Sequence, residues 1–318
     1  MLKKHTRALV LLFLIIGIIL GIGCGEEKAS IKSPEDSLPT TTSAQASSTQ
    51  SSSSELASIA SQAQPQPQPQ PQSTSIKPSE ISSEFSTNTS GSLYVQKVQA
   101  VPILYYHSVR QEDGNELRMP PDQFEAQMAY LKDKGYNSIS LEQLYQATYQ
   151  GGALPLKPFV ITLDDGYLDN YTIAFPILKR HGFTATIFMV TSYIDGEGFM
   201  SWSQLKELVA NGWEIEGHTE NHPHLTKKDP QTVLSELEIS KELLENRLGQ
   251  SVKFFAYPYG DLNANVVQVV KDAGYAMAFT TERGWADGKA DAWHVHRIYC
   301  FAFMGMNEFA RRLQNPNY

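Results

Sequence analysis

From about residue 97 onward the chain reads as short, continuous apolar runs separated by amphipathic stretches. The runs cover residues 102–106, 159–163, 184–190, 213–217, 254–257 and 276–280. Apolar runs without alternation predict strands buried on both faces, as in a parallel sheet covered by helices. Between them lie helical patterns over 122–134 (with Phe124, Met128 and Leu131 on one face), 141–149 behind a Ser140 cap, 169–180, 201–210, 230–248 and 263–273. Four junctions repeat one phrase, a glycine followed by an aromatic: Gly135-Tyr136, Gly182-Phe183, Gly212-Trp213 and Gly274-Tyr275. Glycine just past a helix is the left-handed cap, and the aromatic opens the next strand. Six or seven such units predict an α/β domain closed, or nearly closed, into a barrel. No glycine-rich phosphate loop opens any helix, which weighs against an open nucleotide-binding sheet.

The first 96 residues follow different rules. Lys3, Lys4 and Arg7 precede an apolar stretch from Ala8 to Ile22, short for a membrane span and typical of a secretory leader. Gly23-Cys24 resembles a bacterial lipoprotein processing site, although Gly21 stands where Leu is usual; a plain signal peptide or an uncleaved anchor are the alternatives. All three readings export the rest of the chain, to the outer face of the cell membrane or beyond. Residues 25–96 are rich in Ser, Thr, Gln and Pro and include the alternating Gln-Pro run around Pro65–Pro71. Nothing there offsets the entropy of ordering, so a disordered tether is expected. Residues 97–318 then form one domain.

Charge and cysteine content narrow the partners. From residue 97 on, 20 Lys and Arg stand against 27 Asp and Glu, which argues against nucleic acid and against an electrostatic grip on anionic lipid. A neutral or cationic polymer suits this surface, and a monomer is expected. The only cysteines are Cys24 and Cys300, so with Cys24 lipidated or removed the fold rests on its core, without an internal disulfide.

The candidate chemistry falls at the ends of the apolar runs, where β/α barrels carry their active sites. His107 follows the first run, Asp164-Asp165-Gly166 the second, His218 and His222 the fourth, and Tyr259-Gly260 the fifth. Asp-Asp-Gly alone is commonly a turn, and two histidines four apart are commonly structural. Pro223 disfavours a helix at His222, so this segment reads as a strand end entering a loop. One Asp and two His can hold a divalent metal with positions left open, and the second Asp can stand beside it as a base. Zn²⁺ is expected first, with Co²⁺, Ni²⁺ or Fe²⁺ compatible with the same donors. His224 reads as a bystander. Tyr105, Tyr106, Tyr167, Trp202, Tyr257, Tyr259 and Trp293 are candidates for stacking on sugar rings, most of them expected in the core.

Thr162-Leu163-Asp164-Asp165-Gly166, His218-Thr219-Glu220-Asn221-His222 and Tyr257-Pro258-Tyr259-Gly260 resemble the first three motifs of the polysaccharide deacetylases (NodB homology domain, carbohydrate esterase family 4). The resemblance implies a distorted (β/α)₇ barrel. It implies Asp164 as general base, Asp165, His218 and His222 as metal ligands, and the Tyr259 N–H as part of an oxyanion hole. The family's third motif usually begins with an Arg that orients the base; here Ala256 stands there, and Arg297 is the candidate replacement. The segment Val101 to His107 resembles the start of the biofilm poly-β-1,6-N-acetylglucosamine deacetylases, in which the His after the first strand is the acid. His107 is therefore preferred to His296 in that role.

The expected function is an exported, metal-dependent N-deacetylase of N-acetylglucosamine polymers, with the poly-β-1,6-linked polymer first. Peptidoglycan or chitin oligomers, and xylan O-acetyl esters, are alternative substrates. A tethered glycan-binding protein without turnover is the alternative of a different class, kept open by Ala256. No zinc-protease helix motif supports a peptidase.

Overall fold

The computed structural model describes residues 94, 95, 100–288 and 291–318. The expected leader over 1–24, including Cys24, and nearly all of the expected linker over 25–96 lie outside the described residues. Within that linker span, Tyr94–Val95 pairs antiparallel with Leu154–Pro155, so strand pairing begins shortly before residue 97. Among the described residues no helix is long and apolar enough to cross a membrane.

Seven parallel strands close into a barrel: β1 (Ile103–Tyr106), β2 (Pro158–Asp165), β3 (Thr186–Met189), β4 (Glu214–Gly217), β5 (Phe254–Ala256), β6 (Met277–Arg283) and β7 (Val295–Tyr299). Each pairs with the next, and β7 returns to β1, with Ile298 opposite Leu104 and Tyr299 opposite Tyr105. The helices are α1 (Pro121–Asp133), α2 (Leu141–Tyr149), α3 (Phe175–His181), α4 (Trp202–Ala210), α5 (Pro230–Leu248), α6 (Ala264–Asp272) and α7 (Met306–Arg312). The four glycines of the repeated Gly-aromatic phrase all lie at φ between 71° and 82°, so one punctuation device serves four helix-to-strand junctions.

Alternation along the strands sorts side chains into two cores. Ile103, Val160, Phe188, Phe254, Phe279 and Val295 meet inside the barrel. Leu104, Ile161, Ile187, Ile215, Ala278 and Ile298 face the helices. Inside the lower barrel the Glu214 carboxylate accepts the N–H groups of Leu141 and Glu142 at the start of α2, where a helix terminus leaves donors unsatisfied and favours negative charge.

Three features depart from the sequence reading. The helix expected over 169–180 opens as a π-helical turn, Asn170–Ala174, before α3. Strand β2 runs two residues past the apolar run and carries both aspartates. The seventh strand, Val295–Tyr299, was absent from the apolar runs because His296 and Arg297 interrupt its pattern.

Candidate active site

A cleft of about 490 Å³ opens at the C-terminal end of the barrel. His107, Asp164, Asp165, His218, His222 and Tyr259 all line it, along with Tyr105, Tyr167 and Tyr257. Consecutive residues of a strand point to opposite faces, so Asp164 and Asp165 could not share a cleft on regular backbone. Asp165 adopts φ +73°, which turns it to the side Asp164 already faces. The neighbouring Gly166 is at φ +88°, and a Cβ there would sit 2.1 Å from the Met189 sulfur, so the position favours glycine. Thr219, His222 and Tyr259 are also in the left-handed region. Among the described residues, four of the six non-glycine residues with positive φ thus line the cleft or support it, and such strain persists only where surrounding contacts enforce it.

Those contacts are visible. Thr219 Oγ1 accepts the His222 N–H at 2.9 Å. Buried Glu236 accepts both the backbone and side-chain N–H of Asn221, at 2.8 and 3.0 Å. His218 Nδ1 lies 2.7 Å from the Ala256 carbonyl; donating there, it leaves Nε2 as the free, lone-pair nitrogen. Asp165 Oδ1 is 3.4 Å from Nε2 of His218 and 3.4 Å from Nε2 of His222. Two donors on one tetrahedral ion at ordinary Zn–N and Zn–O lengths are separated by about 3.3 Å. Asp165 Oδ1 is also buried with no hydrogen-bond partner, which a cation between the three groups would explain. The donor set therefore fits a divalent metal. Burial pushes the Asp165 carboxyl up, but the polar influence of the His218, His107 and His222 imidazoles around it outweighs burial and holds the group below the usual range. Burial and the neighbouring His218 push His222 down to about 4, so its ring is neutral and able to ligate at neutral pH.

Asp164 has a different partner. Arg297, with no solvent exposure, donates to both of its carboxylate oxygens at 2.8 Å. The same guanidinium donates to the Thr280 carbonyl and Thr162 Oγ1 and lies 4.3 Å from the Tyr105 ring centroid. Burial raises the Asp164 pKa, and the charge and hydrogen bonds of Arg297 overcome that effect, leaving it lowered. Ala256 and Arg297 thus act on different groups, the backbone of Ala256 fixing a histidine while Arg297 reaches Asp164 from β7.

His107 follows β1, and its carbonyl accepts from Asn170 Nδ2 at 2.8 Å. The loop after it is tied down by Asp169, which accepts from Ser108 Oγ and the Val109 N–H. His107 Nδ1 is buried without a partner. Burial lowers its pKa, opposed by Asp164 and Asp165. His296 lies elsewhere: it is on the outer wall, beside Glu282. His224 stacks on Tyr259 and sits 3.7 Å from Asp261. Of the aromatic candidates, Tyr106 is core, with its hydroxyl on Gln127. Trp202 lies under Arg247, and Trp293 bonds the Tyr275 carbonyl. Tyr193, Tyr299, Glu116 and Thr281 line the cleft but were not singled out from the sequence. Tyr299 could have been found only by recognising β7 as a strand; Asp169 and Asn170 carried a usable signal, three and four residues beyond Gly166.

Barrel and cleft together have the make-up of a hydrolase. Residues 151–278 match the family model for polysaccharide deacetylase. YxkH of Bacillus subtilis, named provisionally as a polysaccharide deacetylase, is 35% identical over 228 residues, 72% of this chain and 81% of that one. The poly-β-1,6-N-acetyl-D-glucosamine N-deacetylase of Staphylococcus aureus is 30% identical over 210 residues, 61% and 71% of the two chains. Among solved structures, the Streptococcus pyogenes deacetylase PplD, in complex with acetate, superposes with a TM-score of 0.65 at 28% identity over 68% of this chain and 99% of that one. This chain belongs to the polysaccharide deacetylase family, and its barrel is the seven-stranded form expected for it.

Proposed function

We propose that this deacetylase is an exported, metal-dependent N-deacetylase of N-acetylglucosamine polymers, with the poly-β-1,6-linked polymer as first substrate. The observation that carries the chemistry is the pairing, in one cleft, of an Arg297-held carboxylate with the Asp165–His218–His222 donor set. The similarity to the Staphylococcus aureus enzyme supports the linkage. Arg297 also removes the reason for a binding-only reading, because a carboxylate fixed by a bidentate Arg is equipped to act as a base despite Ala256.

Asp165, His218 and His222 would hold the metal, Zn²⁺ first, which when bound supplies Lewis acidity at the acetamide carbonyl. Asp164, held ionised and oriented by Arg297, takes the proton of the attacking water as the new C–O bond forms. The Tyr259 N–H, on its left-handed turn, donates to the developing oxyanion. His107 in its protonated form delivers a proton to the departing nitrogen as the C–N bond breaks, releasing acetate and the amine. The acidic surface accommodates the cationic product.

The test is acetate release from β-1,6-linked N-acetylglucosamine oligomers by the full chain after chelation and after adding back Zn²⁺, Co²⁺, Ni²⁺ or Fe²⁺. Metal-dependent release supports the reading. Release only from chitin or peptidoglycan oligomers, or only from acetylated xylan, moves the substrate. Glycan binding with no release under any metal replaces the proposal with the binding-protein reading. Export through a lipidated Cys24 is tested separately: fatty-acid label should enter the wild-type chain and be lost in Cys24→Ala.

A further inference from the structure

The outer wall of the barrel carries a second convergence of metal-ligand side chains. Val295 and Arg297 face the barrel interior, so His296 between them faces outward, and His294 lies immediately before the strand. Glu282, near the end of the adjacent β6, meets both. His294 Nε2 is 2.9 Å from Glu282 Oε1, and His296 Nε2 is 3.4 Å from Oε2. One ligand atom from each of the three residues falls within 4.8 Å of the others. Both imidazoles present the same nitrogen to one carboxylate. Gly284, at φ +153°, keeps the space beside His296 open: a Cβ there would come within 2.8 Å of its Nδ1.

The fold does not need this group for stability. Its side chains are 36%, 40% and 56% exposed, and ion pairs at such positions contribute little. Two imidazoles and a carboxylate within reach of water are, however, a donor set for Zn²⁺, Ni²⁺ or Cu²⁺. We propose that Glu282, His294 and His296 form a second divalent-metal site, separate from the cleft, with its remaining positions filled by water. An ion there would join β6 to β7 beside the irregularity in their pairing between Phe279 and Arg283. That is the stretch in which the Thr280 carbonyl holds Arg297. Occupancy would therefore stabilise the strand pair that supports Asp164, through preferential binding to the folded state.

The experiment counts metal bound to the chelated full-length chain after exposure to Ni²⁺ or Zn²⁺ and removal of free ion, with thermal unfolding of the same samples. Two equivalents are expected in the wild type. One is expected in Asp165→Asn, one in the His294→Asn/His296→Asn double variant, and none in the triple variant. Added metal should raise the melting temperature of Asp165→Asn and leave that of the triple variant unmoved. A single equivalent in the wild type that disappears in Asp165→Asn overturns the proposal, as does a second equivalent that persists without His294 and His296. Both histidines are part-exposed, so their replacement leaves the fold intact as a control.

Discussion

Two three-residue donor sets, each of one carboxylate and two histidines, sit on different strands of the barrel, one at the ends of β2 and β4 and the other on or beside β6 and β7, and they differ in how they are held. The inner set, Asp165, His218 and His222, is largely removed from water; two of its members occupy left-handed backbone, and one imidazole is locked by the Ala256 carbonyl. The outer set, Glu282, His294 and His296, lies on or beside β6 and β7 in partial contact with water. The same side chains therefore have different roles available. Desolvation strengthens every interaction inside the cleft and keeps its geometry preset, whereas the outer set must organise around whatever it binds. The inner set shares its cleft with a second carboxylate, Asp164, and a further histidine, His107, and the proposed reaction rests on that neighbourhood.

The comparison breaks most directly at Asp165. Asp165→Asn should lower kcat/KM at least about a thousandfold, roughly 4 kcal/mol of transition-state stabilisation, while removing only one of two metal equivalents. Unchanged acetate release in that variant would remove the assignment. His107→Ala should lower kcat by about 10²–10⁴-fold, the usual contribution of a positioned acid. If alanine at His296, not at His107, eliminates turnover, the acid is on the outer wall and the contrast between the two sets fails.

Arg297→Met tests the buried support. Breaking a buried pair by removing one partner costs about 3–5 kcal/mol, measurable by denaturant unfolding. The sign of its pH effect follows from the site. Arg297 lowers the Asp164 pKa against burial; without the guanidinium, burial prevails and the carboxylate protonates at higher pH. The acidic limb of the kcat/KM profile should therefore move upward in whatever activity remains, and a limb that stays in place would show that Asp164 is not the base. The smallest effect is expected at Glu236→Gln, which weakens the two hydrogen bonds holding the Asn221 turn. A loss of about 1.5–3 kcal/mol in stability, with metal affinity reduced more than kcat, would fit a positioning role.

Much of this was legible in the chain. Six of the seven strands stand out as apolar runs, and α2 and α5 match the helical pattern at both ends. The two motif segments announced Asp164, Asp165, His218 and His222 because their neighbours in sequence are also their neighbours in the cleft. β7 was hidden for the opposite reason: a strand that places a guanidinium inside the barrel and a histidine outside has no apolar run to show. The sorting of aromatics was equally closed to pattern, since Tyr105 and Tyr106 are adjacent in sequence yet one lines the cleft and the other is core.

By itself the amino-acid sequence determined the family, the alternation of buried strands with capped helices, and the ligand types at the strand ends. These follow from local periodicity, turn chemistry and contiguous motifs, each confined to a few residues. Tertiary structure alone decided that Arg297 reaches Asp164 across 133 positions, that both aspartates face one cleft through the left-handed turn at Asp165, and that His107 lines that cleft while His296 stands outside. Those outcomes depend on closing the barrel, which sets the register of β7 against β1 and gives each strand face an inside and an outside.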